Sequence, residues 1–144
     1  MKFFQKVLAE EFYGKAGAGG VFLAEDTGRI LLSLRSKYVN EPQTWGVWGG
    51  KQEPGETPTD TVKREIKEET SYSGPFKLKP LWVFTKGNFK YYNYLITVPH
   101  EFNPVLCWET ENYDWFTLDA LPNPQHFGLK ALLPHLLKEI AQRK

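Results

Sequence analysis

"GGKQEPGETPTDTVKREIKEETSY", residues 49–72, is where a reading of this chain begins. Its second half crowds Glu65, Glu68 and Glu69 beside Arg64, over little more than one helical turn. Upstream, Thr57 suits a helix N-cap, Pro58 suits the first helical position, and Asp60 stands where a capping-box acid would. The spacing predicts a helix from about residue 58 to about residue 70, stopped by Ser73, Gly74 and Pro75. Residues three and four apart share a helical face, so the three acids converge on one side while Val62 and Ile66 mark an adjacent apolar stripe. Like charges at this spacing disfavour an isolated helix by a few tenths of a kcal/mol per pair. Two accounts offset that repulsion. Lys63, Arg64 and Lys67 can neutralise a solvated face, or a divalent cation such as Mg²⁺ or Mn²⁺, which prefers oxygen ligands, can sit among the carboxylates.

Working outward, "AGAGGVFLAEDTGRILLSLRS" holds two apolar runs, Val21–Ala24 and Ile30–Leu34, separated by a turn at Asp26, Thr27 and Gly28. That is a hairpin pattern. Residues 35–57 are rich in Gly, Pro and polar side chains, with one short strand expected around Trp45, Val47 and Trp48. Beyond the helix, "LKPLWVFTK" and "FKYYNYLITV", split by Gly87 and Asn88, and a run around "YDWFTL" read as three strands. From about Gly128, Leu129, Leu132, Leu133, Leu136, Leu137 and Ile140 recur at helical spacing, with Pro134 expected to bend or restart the helix. This order is neither a regular strand–helix alternation nor all-β, and its natural class is α/β, a mixed sheet covered by helices.

The chain's 144 residues, 16.7 kDa, fit a single domain spanning 1–144. Eighteen basic against seventeen acidic residues leave a formal net charge of +1, which supplies no overall field for a polynucleotide backbone. Cys107 is the only cysteine, so there is no intrachain disulfide and no thiolate zinc site, and a reducing cytoplasmic location is expected. Glu10 and Glu11 interrupt "MKFFQKVLAEEF" before an apolar run of signal-peptide length develops, and no segment nears the ~20 apolar residues of a membrane span. The expectation is a soluble protein that is not exported.

The stretch that opened this reading also has an internal spacing: Gly50, five residues, Glu56, seven residues, then Arg64-Glu65-Ile66-Lys67-Glu68-Glu69-Thr70-Ser71-Tyr72. It resembles the signature of the Nudix hydrolases, MutT-like pyrophosphohydrolases, matching each fixed position except that Ser71 stands where the family usually has glycine. The flanking "RILLSLRS", "WGVWGG" and "ENYDWFTLDALP" are similar to the family too, so the likeness covers most of residues 17–140 and leaves the first 16 unassigned. The resemblance implies an α/β/α sandwich around a mixed sheet. It implies that Glu68, Glu69 and Glu65, helped by a backbone carbonyl near Gly49 or Gly50, bind Mg²⁺ or Mn²⁺, and that Arg64 pairs with Glu56 to tie loop to helix. The implied reaction is hydrolysis of a diphosphate linkage in a nucleotide or nucleoside diphosphate derivative. Candidate substrates are (d)NTPs, damaged ones included, nucleoside diphosphate sugars, and dinucleotide cofactors or polyphosphates. The general base is either a box glutamate such as Glu65 or a later acid, Glu109 or Glu111. Two alternatives are a catalytically inactive nucleotide-binding protein on the same scaffold and a related diphosphate isomerase or transferase. No polynucleotide or membrane partner is expected, and oligomeric state stays open, a homodimer being one form considered.

Among the aromatics, Trp45, Trp48, Trp82, Phe84, Tyr91, Tyr92 and Tyr94 can stack on a purine, and Trp45, in the loop before the box, is the preferred one. Arg35 and Lys51 are candidate phosphate contacts because they flank the acids in sequence. Cys107 reads as a buried strand thiol, and His100, His126 and His135 lack ligand spacing. The glycine-rich residues 17–20 lack the spacing of a dinucleotide loop. If the helix ends at Ser71 in a left-handed conformation, serine costs about 1 kcal/mol relative to glycine.

Overall fold

The computed structural model describes residues 16–143, so the readings made on the N-terminal stretch lie outside the described residues. The elements are β1 (Ala16–Ala24), β2 (Ile30–Arg35), β3 (Trp45–Gly46), β4 (Trp48–Lys51), α1 (Pro58–Thr70), β5 (Lys77–Lys86), β6 (Phe89–Val98), β7 (Thr110–Phe116) and α2 (Phe127–Gln142). No described helix is long and apolar enough to cross a membrane.

β1 and β2 form the expected hairpin, but they pair only through Phe22 with Leu31 and Leu23 with Ile30. Beyond those pairs the two strands part. The segment 45–51 fills the fork: Trp45 and Gly46 pair with Leu34 and Ser33 of β2, and Trp48 to Lys51 pair with Gly20 to Gly17 of β1. Where the sequence suggested one short strand there are therefore two, bent at Val47, because each half must follow a different neighbour. On its other edge β1 runs parallel to β6 along its whole length, β5 closes onto β6, and β7 pairs with β2. The sheet is mixed.

Side chains alternate across the pleat, so adjacent residues of β1 feed two cores. Ala18, Phe22 and Ala24 join Leu31, Trp48, Ile96 and Trp115 beneath Val62 and Ile66 of α1. Val21 and Leu23 join Ile30, Leu32 and Leu95 beneath Leu129, Leu132 and Leu136 of α2. The result is a three-layer α/β/α sandwich. α2 runs through Pro134 unbroken, so the expected restart does not occur.

α1 begins as its sequence predicts. The Thr57 side chain accepts from the Asp60 amide at 3.2 Å, and the Asp60 carboxylate accepts from the Thr57 amide at 3.0 Å. It ends at Ser71, whose φ of 60° and ψ of 16° are left-handed, with its N–H donating to the Lys67 carbonyl at 3.0 Å. The departure from the family pattern thus sits in the conformation glycine favours, and the helix still closes. Ser71→Gly is expected to stabilise the fold by about 0.5–1 kcal/mol, a rise of about 1–4 °C in melting temperature by calorimetry. An unchanged or lower melting point would remove the strain argument.

Candidate active site

Arg64 organises the front of the site. Its Nε donates to Glu56 Oε2 at 2.8 Å and its Nη2 to Glu56 Oε1 at 3.0 Å, the two-pronged geometry of a guanidinium on a carboxylate. Nη2 also donates to the Lys51 carbonyl at 2.8 Å, fastening the loop before the helix. Nη1 reaches Glu65 at 3.0 Å and Glu68 at 2.8 Å. Neutralisation of the acids runs through Arg64, which the sequence had assigned mainly to Glu56.

Glu56 accepts further bonds from the Glu53 amide at 2.8 Å and the Thr61 hydroxyl at 3.0 Å. Hydrogen bonds from Arg64 first, then from the Glu53 backbone, hold its carboxyl down at about 2, against an ordinary 4.5. A carboxyl depressed in the folded state contributes stability above its unfolded value, and that contribution fades as pH falls from about 4.5 toward 2. The stability gap between the parent chain and Glu56→Gln should accordingly hold steady above pH 5 and narrow on acidification through that window, followed by denaturant melts across pH. A gap that did not change with pH would contradict the pairing.

Glu69 is turned inward. It is buried, and its Oε1 accepts from the Gly49 amide at 2.7 Å, pinning the end of α1 to β4. Glycine is required on that strand for two reasons. Gly49 has a φ of 150°, and a side chain there would collide with the Tyr91 hydroxyl. At Gly50 a Cβ would lie 2.6 Å from Glu65 Oε1, so the Glu65 carboxylate packs directly on the backbone.

Behind Gly49, Gly50 and Glu69 opens a cleft enclosing about 990 Å³ of space, its open mouth included. Trp82, Phe84, Phe89, Tyr91 and Phe127 give it an aromatic wall. Ser33, Asn93, Thr110 and His126 add polar groups, and Arg35 and Glu109 add charge. The Gly128 amide donates to His126 Nδ1 at 3.0 Å, so that nitrogen accepts, and Nε2 stands 3.2 Å from Glu41 Oε2 without the alignment of a hydrogen bond.

The predicted residues divide accordingly. Glu69, Gly50, Arg35 and Glu109 border the cleft. Arg35 donates through Nε and Nη2 to the Asn40 carbonyl at 2.8 and 2.6 Å, which shapes the loop after β2. Glu111 lies outside, exposed and accepting from Gln43. The Lys51 side chain is exposed, and its backbone carbonyl supplies its contact with the site. Trp45 packs edge-on against Phe116 at 5.1 Å over the α2-side core and is not among the residues that line the cleft. Of the other aromatics, Trp82, Phe84 and Tyr91 line the cleft, whereas Trp48 and Tyr94 are core. Cys107 is half-buried in the segment before β7, not in a strand as expected; burial first, then the nearby Glu69 and Glu109 charges, push its thiol up. Sequence reasoning missed Asn93, His126 and Phe127.

Among the described residues no three acidic, imidazole or thiol side chains are already drawn together as a cation cage. Glu65 and Glu68 lean on Arg64, and Glu69 on Gly49. The donor chemistry nevertheless fits a hard divalent cation: every side-chain donor is a carboxylate oxygen, Glu65 and Glu69 are seated on the Gly49–Gly50 backbone, and Glu68 is exposed on the same turn.

Comparison with known proteins agrees with this architecture. The sequence model of the NUDIX domain matches residues 15–136. A Mycobacterium tuberculosis protein named "Putative 8-oxo-dGTP diphosphatase 3" is 35% identical over 66 residues, covering 43% of this chain and 30% of that protein. The chain thus spans less than a third of that relative's length. Among solved structures, the MutT NUDIX hydrolase from Burkholderia pseudomallei superposes with a TM-score of 0.68 at 26% identity, covering 84% of this chain and 96% of that one. The Nudix hydrolase RenU from M. smegmatis shares the fold, with a TM-score of 0.75 at 19% identity over 91% of this chain and 89% of that one.

Proposed function

Because the chain belongs to the Nudix family, we propose that it is a pyrophosphohydrolase, using Mg²⁺ or Mn²⁺ to cleave the diphosphate linkage of a nucleotide or nucleoside diphosphate derivative. The observation that carries this reading is one aromatic-walled cleft whose lining also includes buried Glu69, tied to the Gly49 amide, together with Gly50 and Glu109.

Glu65, Glu68 and Glu69 would hold the cation, with a carbonyl from Gly49 or Gly50. A divalent ion bound there lowers the pKa of a coordinated water and neutralises phosphate oxygens. The remaining work falls to the chain itself. Arg64 keeps the box loop and α1 in register through Glu56 and the Lys51 carbonyl. Glu109, which borders the cleft where Glu111 does not, is the preferred of the two later acids to take the proton as water attacks phosphorus and the bridging P–O bond breaks. The aromatic wall supplies a surface for the nucleoside, and the single cysteine fits work in a reducing cytoplasm.

The test is a panel of nucleoside triphosphates, nucleoside diphosphate sugars and dinucleoside polyphosphates incubated with Mg²⁺ and analysed by chromatography. At least one should yield a nucleoside monophosphate-type product. Binding without any product, or isomerisation without uptake of water, would replace hydrolysis by one of the alternative activities.

A further inference from the structure

We infer that Asn93 is a specificity-determining residue that reads the edge of a purine base through an N–H donor of that base. The inference deepens the function proposed above and rests on it for the presence of a nucleotide in the cleft.

Asn93 interrupts an apolar strand. On the face of β6 that looks toward α2 it lies between Tyr91 and Leu95, and its residue is 5% exposed. A carboxamide so placed is costly unless its hydrogen-bonding groups find partners. Here Nδ2 donates to the Tyr91 carbonyl at a long 3.3 Å. That carbonyl can only accept, so the contact fixes which way the amide faces and leaves Oδ1 as the acceptor offered to the cleft that Asn93 lines. An acceptor open to the cleft, on an otherwise buried side chain beside an aromatic wall, suits a flat ligand carrying N–H groups.

The wall has the matching shape. Phe84 lies 6.1 Å from Phe127 and 6.5 Å from Phe89, centroid to centroid, with planes inclined by 58° and 65°, so these rings pack edge to face and do not form a parallel pair that would sandwich a base. A base would therefore stack on the face of a single ring of this wall, with its edge free to meet Asn93.

Distance supplies a third argument. Asn93 is paired across β6 and β1 with Gly19, and Gly19 is paired across β1 and β4 with Gly49, whose amide holds Glu69. At about 4.8 Å per strand, the reader and the acidic end of the site are about 10 Å apart. That is the reach of a ribose between a base and its phosphates.

Equilibrium titration with nucleoside monophosphates tests this without requiring turnover. AMP and GMP carry N–H groups on the base edge, whereas purine riboside monophosphate carries none. The parent chain should bind AMP or GMP at least about tenfold more tightly than purine riboside monophosphate, the difference a buried hydrogen bond supplies. In Asn93→Leu, similar in size and without an acceptor, that ratio should fall to within about twofold. Asn93→Ala serves if the leucine variant does not fold. Equal affinities in the parent chain, or a ratio unchanged in the variants, would overturn the assignment. Hydrolysis of ATP and GTP with Mg²⁺ is measured in parallel: base discrimination without hydrolysis would refute the proposed activity and leave Asn93 as the reader, and hydrolysis without discrimination would do the reverse.

Discussion

Glu69→Gln is expected to lower turnover by about a hundredfold or more with the fold intact, and Glu68→Gln to do the same from a different structural position. Glu69 is the buried member, accepting from the Gly49 amide. A glutamine there retains an oxygen for that N–H, so the tie between α1 and β4 survives while one negative ligand charge is lost. Glu68 is more than half exposed, its side chain 53% accessible and paired with Arg64 at 2.8 Å, and it contributes little to stability by that contact. Loss of activity in both variants with unchanged melting curves would therefore point to chemistry. Near-normal kcat in both, at saturating Mg²⁺, would remove these residues from the cation site.

Removal of divalent metal is expected to abolish turnover, and addition of Mg²⁺ or Mn²⁺ to restore it. The physical reason lies in the packing of charge around Arg64. One guanidinium faces Glu56, Glu65 and Glu68, with Glu53 a further 3.5 Å contact, so the acids outnumber the cation that serves them. A bound ion would relieve that excess, and binding to the folded state alone adds stability: about 2.7 kcal/mol at a hundred times its dissociation constant. The melting temperature should accordingly rise with Mg²⁺ in the parent chain and rise much less in Glu69→Gln. Turnover that persisted in excess chelator would contradict the metal-dependent mechanism, whatever the melting curves showed.

Much of the architecture could be read directly from the residues. The boundaries of α1 were legible because Thr57, Pro58 and Asp60 act locally, through bonds that span three residues. The hairpin, the later strands and the closing helix were legible for the same reason, since apolar periodicity reports the face an element buries. What escaped were features decided at a distance. Trp45 looked like a loop aromatic until the fork between β1 and β2 claimed its backbone and turned its ring onto Phe116. Glu109 and Glu111 could not be separated, because only the start of β7 determines which borders the cleft. Asn93 carried a faint signal, a carboxamide within an aromatic strand, but its meaning depended on which face of the sheet held the cleft. Arg64 was read as the partner of Glu56 or as one of three cations beside the acids, and its guanidinium does both while also holding the Lys51 carbonyl.

The fork between β1 and β2 also separates two kinds of freedom in this molecule. Backbone ladders clamp the segment 45–51 to one strand at each end, so the glycines that seat Glu65 and Glu69 are held by main-chain bonds that do not depend on side-chain identity. The loop at residues 36–44 enters this clamp at Thr44, whose carbonyl accepts from the Arg35 amide at 2.9 Å. Its exposed positions Lys37, Tyr38 and Pro42 can therefore change composition while the acidic helix stays in register, whereas Val39 is buried and lines the cleft and the Ser36 amide donates to the Glu109 carbonyl. For redesign, the positions to vary are the exposed ones of that loop, and the stretch to leave alone begins at Trp45.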